Sequence, residues 1–200
     1  NGSSLTNLLL AIKDYDVRFR LGSLEVVVVD RDFLEATKAL KSFCPQFHLS
    51  LQSGEDNTLK KMNRHYTTEE YKRAVDLIRE YYPNAAITTD IIVGFPGETE
   101  EEFEATYKFL EDISFYEMHI FKYSKRKGTK AAVMENQVPD TVKSERMQRL
   151  LALQNRISLE KNEASVGKVL RVLAEGNSKN NPKFFHRLFA ICIFHTEITQ

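Results

Sequence analysis

One stretch limits the folds open to this chain more than any other: Ala85 to Glu98, AAITTDIIVGFPGE, followed at once by TEEEFEATYKFLEDI. Ile, Thr and Val crowd its first part, and Ile91-Ile92-Val93 is a continuous apolar run. That composition suits a strand buried on both faces, as in a parallel sheet. Gly94 and Gly97 bracket Phe95-Pro96, a rigid turn that lets a ligand come close to the backbone. Thr99 and Glu102 have capping-box spacing, and Phe103, Tyr107 and Leu110 form one helical stripe. So a strand ends, a Gly-rich turn opens, and a helix N-terminus points into the opening. In α/β sheets ligands bind at that end of the strands.

The flanking sequence repeats the alternation. Helical spacing predicts helices over 4–15, 32–43, 67–82 and 139–164, and period-two patterns predict strands over 17–25, 47–52 and 117–123. Thr67 and Glu70 form a second capping box, and Pro45 and Pro83 are stop signals. A polar connection carries Met62-Asn63-Arg64, and a basic loop follows Tyr123. Strands alternating with helices at this spacing argue for βαβ units with right-handed crossovers, an α/β fold on a parallel sheet. Ser23, Glu25, Gln52, Ser53, Arg64 and Arg126 then fall at or just past strand ends, on one rim.

Composition excludes more than it assigns. Lys+Arg and Asp+Glu are 28 each, so any affinity for nucleic acid must come from a local patch. Lys122, Lys125, Arg126, Lys127 and Lys130, beside Tyr123, are such a patch. Two cysteines, Cys44 and Cys192, give no disulfide framework and fit a reducing, cytoplasmic compartment. No apolar run reaches the ~20 residues of a membrane span.

Four segments come in a telling order: HLSLQSG (48–54), LKKMNRHYTTEEY (59–71), ITTDIIVGFPGET (87–99) and FKYSKRKGTKAA (121–132). Together they resemble the radical S-adenosylmethionine methylthiotransferases. RLGSLE (20–25) and FCPQFHLSLQSG (43–54) look most like the branch acting on threonylcarbamoyladenosine in tRNA. The likeness implies the C-terminal part of a partial (βα)6 barrel over 1–135 and a connecting helix over 136–166. It also implies the start of a TRAM-like β domain over 167–176, with 177–200 a divergent tail. It further implies a monomer that uses S-adenosylmethionine and [4Fe–4S] clusters to methylthiolate a base beside the anticodon of tRNA.

By the same resemblance, Ser23 and Glu25 face the amino group of the methionine moiety, while Gln52 and Arg64 hold its ribose or carboxylate. Ser53 is carried with Gln52, the backbone of Val93, Gly94, Phe95, Pro96 and Gly97 borders the adenine, and so does Tyr123. The basic loop is expected to meet RNA. The CxxxCxxC loop that holds the catalytic cluster in the family is expected upstream of Ser4, so the chain alone is expected to be inactive and to hold no metal. Three positions depart from the family pattern: Val26 for Pro, Glu55 for a small residue or Cys, and Lys125 for Pro.

Plainer readings stand beside these. Glu98 and Glu100 to Glu102 suit a helix N-terminus electrostatically. His48 and His119 read as half-buried strand histidines, Asp90 as a rim group or a paired carboxylate, and Cys44 as a small buried hydrophobe. A methylthiotransferase for another tRNA base or a ribosomal protein is one alternative, and a non-catalytic nucleotide- or RNA-binding α/β domain is another. A βα-barrel lyase lacks a Schiff-base lysine or an evident His/Asp metal set.

Overall fold

The computed structural model describes residues 4–168, together with the backbone of 172–177 and 185–189. Four parallel strands lie side by side in chain order: β1 (Ser23–Leu24), β2 (Gln46–Leu49), β3 (Ala86–Val93) and β4 (Glu117–Lys122). The intervening helices are α2 (Arg31–Ala39), α3 (Asp56–Lys61), α4 (Thr68–Tyr81) and α5 (Glu100–Ile113); α1 (Leu5–Ala11) precedes the sheet. The short α6 (Lys130–Val133) and the long α7 (Asp140–Glu163) follow it. Val172–Asn177 (β5) and Phe185–Phe189 (β6) pair antiparallel in a separate sheet.

Local chemistry explains where the long helices begin. Asp30 accepts from the Phe33 amide at 2.7 Å, and both predicted capping boxes, Thr67/Glu70 and Thr99/Glu102, form. Their apolar stripes meet one face of the sheet: Phe33 and Leu34 of α2, Tyr71, Val75 and Ile78 of α4, and Phe103 and Leu110 of α5 join Phe47, Leu49, Ile87 and Ile91 in one core. Leu150, Leu153 and Ile157 of α7 belong to the same core, so that helix packs on the sheet.

Two predicted elements came out differently. The strand over 17–25 shrinks to Ser23–Leu24, preceded by a lone bridge from Phe19 to Phe43. The polar connection before Arg64 contains α3, a single short helix capped by the Glu55 carboxylate, which accepts from Thr58 N at 2.8 Å. The segment at 185–189, predicted as divergent tail, includes β6. The alternating segment predicted as the start of a β domain includes β5, and the remainder of 169–200 lies outside the described residues.

Candidate functional site

The site is built where β2 leaves the sheet. His48 of β2 aligns with Thr88 of β3, yet Gln52 aligns with Ile91, so four steps on one strand match three on the other. The extra residue is a β-bulge, a device that re-aims side chains beside functional sites. Thr89 fills the gap: its Oγ1 donates to Leu49 O at 2.6 Å and accepts from Leu51 N at 3.0 Å. Tyr66 donates to Ser50 O and Leu51 O at 2.8 and 2.9 Å, and Tyr71 donates to Leu49 O at 2.8 Å. Burial pushes the Tyr66 phenol up to about 12, which keeps it a donor.

Past the bulge, Gln52 sits at φ 70° and rejoins β3 through Gln52 N to Asp90 O (2.8 Å) and Ile92 N to Gln52 O (2.9 Å). That backbone is unusual for a residue other than glycine and marks a position held by its surroundings. Gln52 then borders a cavity of about 520 Å³ with Ile92, Phe95, Phe121, Tyr123 and Arg126 at the C-terminal end of the strands. Its volume is that of a small-molecule site.

The turn after β3 forms the wall of this cavity. Gly94 and Gly97 have φ of +71° and +78°, and a Cβ on Gly94 would come within 2.3 Å of Lys143 Cγ. Gly94 N donates to Glu98 Oε2 at 2.7 Å, and Arg146 of α7 meets the same oxygen at 2.6 Å. Both members of that ion pair are buried, at 5% and 1% side-chain exposure. Burial holds the Glu98 carboxyl above its ordinary value, against the pull of the Gly94 amide and Arg146. The sequence put Glu98 at a helix N-terminus; its partner on α7 is too distant in the chain for any spacing rule to find. Lys61 completes the brace, donating to Gly97 O at 2.8 Å and pairing with Glu102.

The other rim candidates are placed as follows. Glu25 and Arg64 face each other at 3.8 Å, with Tyr66 alongside. Ser23 is exposed at the other end of the open sheet face, beside His48. Ser53 is buried, its hydroxyl shared between Thr106 and Glu55 N, so it braces the loop against α5. Val93 and Pro96 are buried, and Val93 O receives Tyr123 N at 2.9 Å. Phe95 meets the Tyr123 ring edge-on at 5.3 Å, and Lys143 lies 5.6 Å above that ring. Tyr123 Oη is buried with no hydrogen-bond partner. In the basic loop, Lys122 is engaged by Asp140 at 3.0 Å, while Lys125, Arg126, Lys127 and Lys130 are exposed.

One grouping escaped the sequence. His48, Asp90 and His119, from three neighbouring strands, bring their ligand atoms within 4.8 Å of one another, so the absence of an evident His/Asp set is corrected here. Each was visible singly; only the strand register joins them.

The radical SAM superfamily model matches residues 5–110. The chain belongs to the radical SAM superfamily. Its curated relatives include tRNA-2-methylthio-N(6)-dimethylallyladenosine synthases: one from Caldicellulosiruptor saccharolyticus is 52% identical over 150 residues, 75% of this chain and 32% of the relative. Those from Acetivibrio thermocellus and Symbiobacterium thermophilum are 53% and 49% identical, over 77% and 76% of this chain and 32% of each relative. The chain thus spans about a third of the length of these relatives. Among solved structures, coproporphyrinogen III oxidase from Escherichia coli, a radical SAM enzyme, superposes with a TM-score of 0.55 at 18% identity, over 68% of this chain and 31% of its own. This last likeness supports the partial-barrel fold alone.

Radical SAM membership implies S-adenosylmethionine and a [4Fe–4S] cluster, and the residues present fit the two differently. For the nucleoside, the cavity is large enough, and the orphaned Tyr123 hydroxyl supplies a buried polar atom with an open valence. For the cluster, thiolates are required. Cys44 is buried at the entry to β2, at the opposite end of the sheet, and contacts Arg18; Cys192 lies outside the described residues. The described rim therefore fits the nucleoside and not the cluster.

Proposed function

We propose that this chain supplies the S-adenosylmethionine cradle of a tRNA methylthiotransferase acting on an N6-substituted adenosine beside the anticodon. The observation that carries it is the bulge-lined cavity between Gln52, Phe95 and Tyr123, with its unpartnered phenol oxygen. Phe95 and Tyr123 offer aromatic surface to a base, and Gln52 offers an amide to a ribose. Glu25 and Arg64 hold opposite charges 3.8 Å apart, an arrangement that matches the ammonium and carboxylate of an amino-acid end. When bound beside a reduced cluster, S-adenosylmethionine supplies radical chemistry; these residues bind and orient it and exclude water.

Between the two N6-substituents, the names of relatives about half identical to this chain favour dimethylallyladenosine over the threonylcarbamoyladenosine suggested by RLGSLE. The exposed Lys125, Arg126, Lys127 and Lys130 are the residues proposed to meet tRNA phosphates, with Lys122 bracing the loop to α7. No helix among the described residues is long and apolar enough to cross a membrane.

Calorimetry with S-adenosylmethionine tests this reading. Tyr123→Phe and Arg64→Ala are each expected to weaken binding roughly tenfold, about one charge-assisted or buried hydrogen bond. Unchanged affinity in both variants would remove the cavity from the cofactor site.

A further inference from the structure

Alternate residues of the strands point to the side of the sheet that the helices leave open. There Gln46, His48, Thr88, Glu117 and His119 line a second cleft of about 470 Å³, toward the strands' N-terminal ends. His119 lies directly opposite Asp90 in the β3–β4 ladder, and His48 pairs with Thr88, two residues before Asp90 and on the same face. His48 Nε2 and Asp90 Oδ2 are 3.5 Å apart. That is long for a charge-assisted hydrogen bond. It matches the edge of a coordination tetrahedron, since two ligands about 2.1 Å from one zinc-like ion lie about 3.4 Å from each other.

The surroundings add a second mark of ligation. The Thr88 hydroxyl lies 2.9 Å from His48 Nδ1. In the tautomer that donates Nδ1–H to Thr88, the Nε2 lone pair is turned toward the Asp90 carboxylate and is available to a cation between them; a hydrogen-bonded second nitrogen is the usual partner of a ligating histidine. The His119 ring stacks obliquely 5.8 Å from His48 and is exposed, free to close the third corner.

We propose that His48, Asp90 and His119 form a three-ligand site for a divalent transition-metal cation of the zinc or ferrous class. Two imidazoles and one carboxylate suit that class, and three protein ligands leave a position open toward the cleft. The set cannot stand in for the thiolates of an iron–sulfur cluster. Asp90 also borders the rim cavity, so the ion would lie on the floor beneath the proposed cradle. The site rests on the sheet register and stands or falls independently of S-adenosylmethionine binding.

The test is a titration of the chelator-treated, untagged chain with Co²⁺ alone, followed by displacement with Zn²⁺. One equivalent with intense d–d absorption, displaced stoichiometrically by Zn²⁺, is expected. His119→Ala, at an exposed position, and Asp90→Asn should each weaken binding at least about thirtyfold, and Thr88→Val about tenfold. Circular dichroism of each variant separates lost ligation from lost fold. Binding unchanged in His48→Gln/His119→Gln, a thiolate charge-transfer band from a cysteine, or no binding below millimolar Co²⁺ would each overturn the site.

Discussion

The two faces of the sheet are made from alternate residues of the same three strands, yet they differ in every property. One carries Phe47, Leu49, Ile87, Ile91, Met118 and Ile120, and α2, α4, α5 and α7 seal it. The other carries Gln46, His48, Thr88, Asp90, Glu117 and His119, and opens onto clefts. Burial stabilises the first. The second contributes little to folding, and its polar groups, held by a rigid sheet, are left for a ligand.

Phe47→Ala should break the sealed face most severely. Phe47 is fully buried, and truncation is expected to cost about 4 kcal/mol in urea unfolding. A loss below about 1 kcal/mol would mean that the face is not close-packed. Arg146→Ala comes next, at about 3 kcal/mol, because it strands the buried Glu98 carboxylate; Arg146→Met with Glu98→Gln should recover most of that loss. Failure of the double variant to recover would show that α7 is held by packing rather than by charge.

A smaller effect concerns pH. A carboxyl raised by burial takes up protons on folding, so the stability it contributes is full below its unfolded pKa and declines as pH rises through the folded one. Wild type should therefore lose ground to Glu98→Gln as pH rises above the ordinary carboxylate range. A gap widening in favour of wild type would place the Glu98 carboxyl below its ordinary value instead. The smallest effect belongs to the open face: His119→Ala should change stability by no more than about 0.5 kcal/mol. A loss comparable to that of Phe47→Ala would erase the distinction between the faces.

Much of the sealed face was legible because it rests on local rules. Both capping boxes, the Ile91-to-Val93 strand and the Gly94–Gly97 turn follow from spacing and composition. The open face was not, because pairing across strands makes it. The bulge that aims Gln52 depends on Thr89 entering the gap beside Leu49 and Leu51. The Glu98–Arg146 pair depends on α7 folding back over the turn. Ser53 shared a motif with Gln52, yet the bulge turns one toward the cavity and the other into the packing against α5. Strand 17–25 alternates convincingly, but beyond the isolated Phe19–Phe43 bridge only Ser23–Leu24 pairs as a strand.

Amide hydrogen exchange with and without S-adenosylmethionine tests the open rim most directly. Slowed exchange is expected in peptides covering 50–54, 93–98 and 121–126, with α1 and the sealed strand interiors unchanged. Protection confined to other segments, or absent at saturating ligand, would contradict the placement of the cofactor between Gln52, Phe95 and Tyr123.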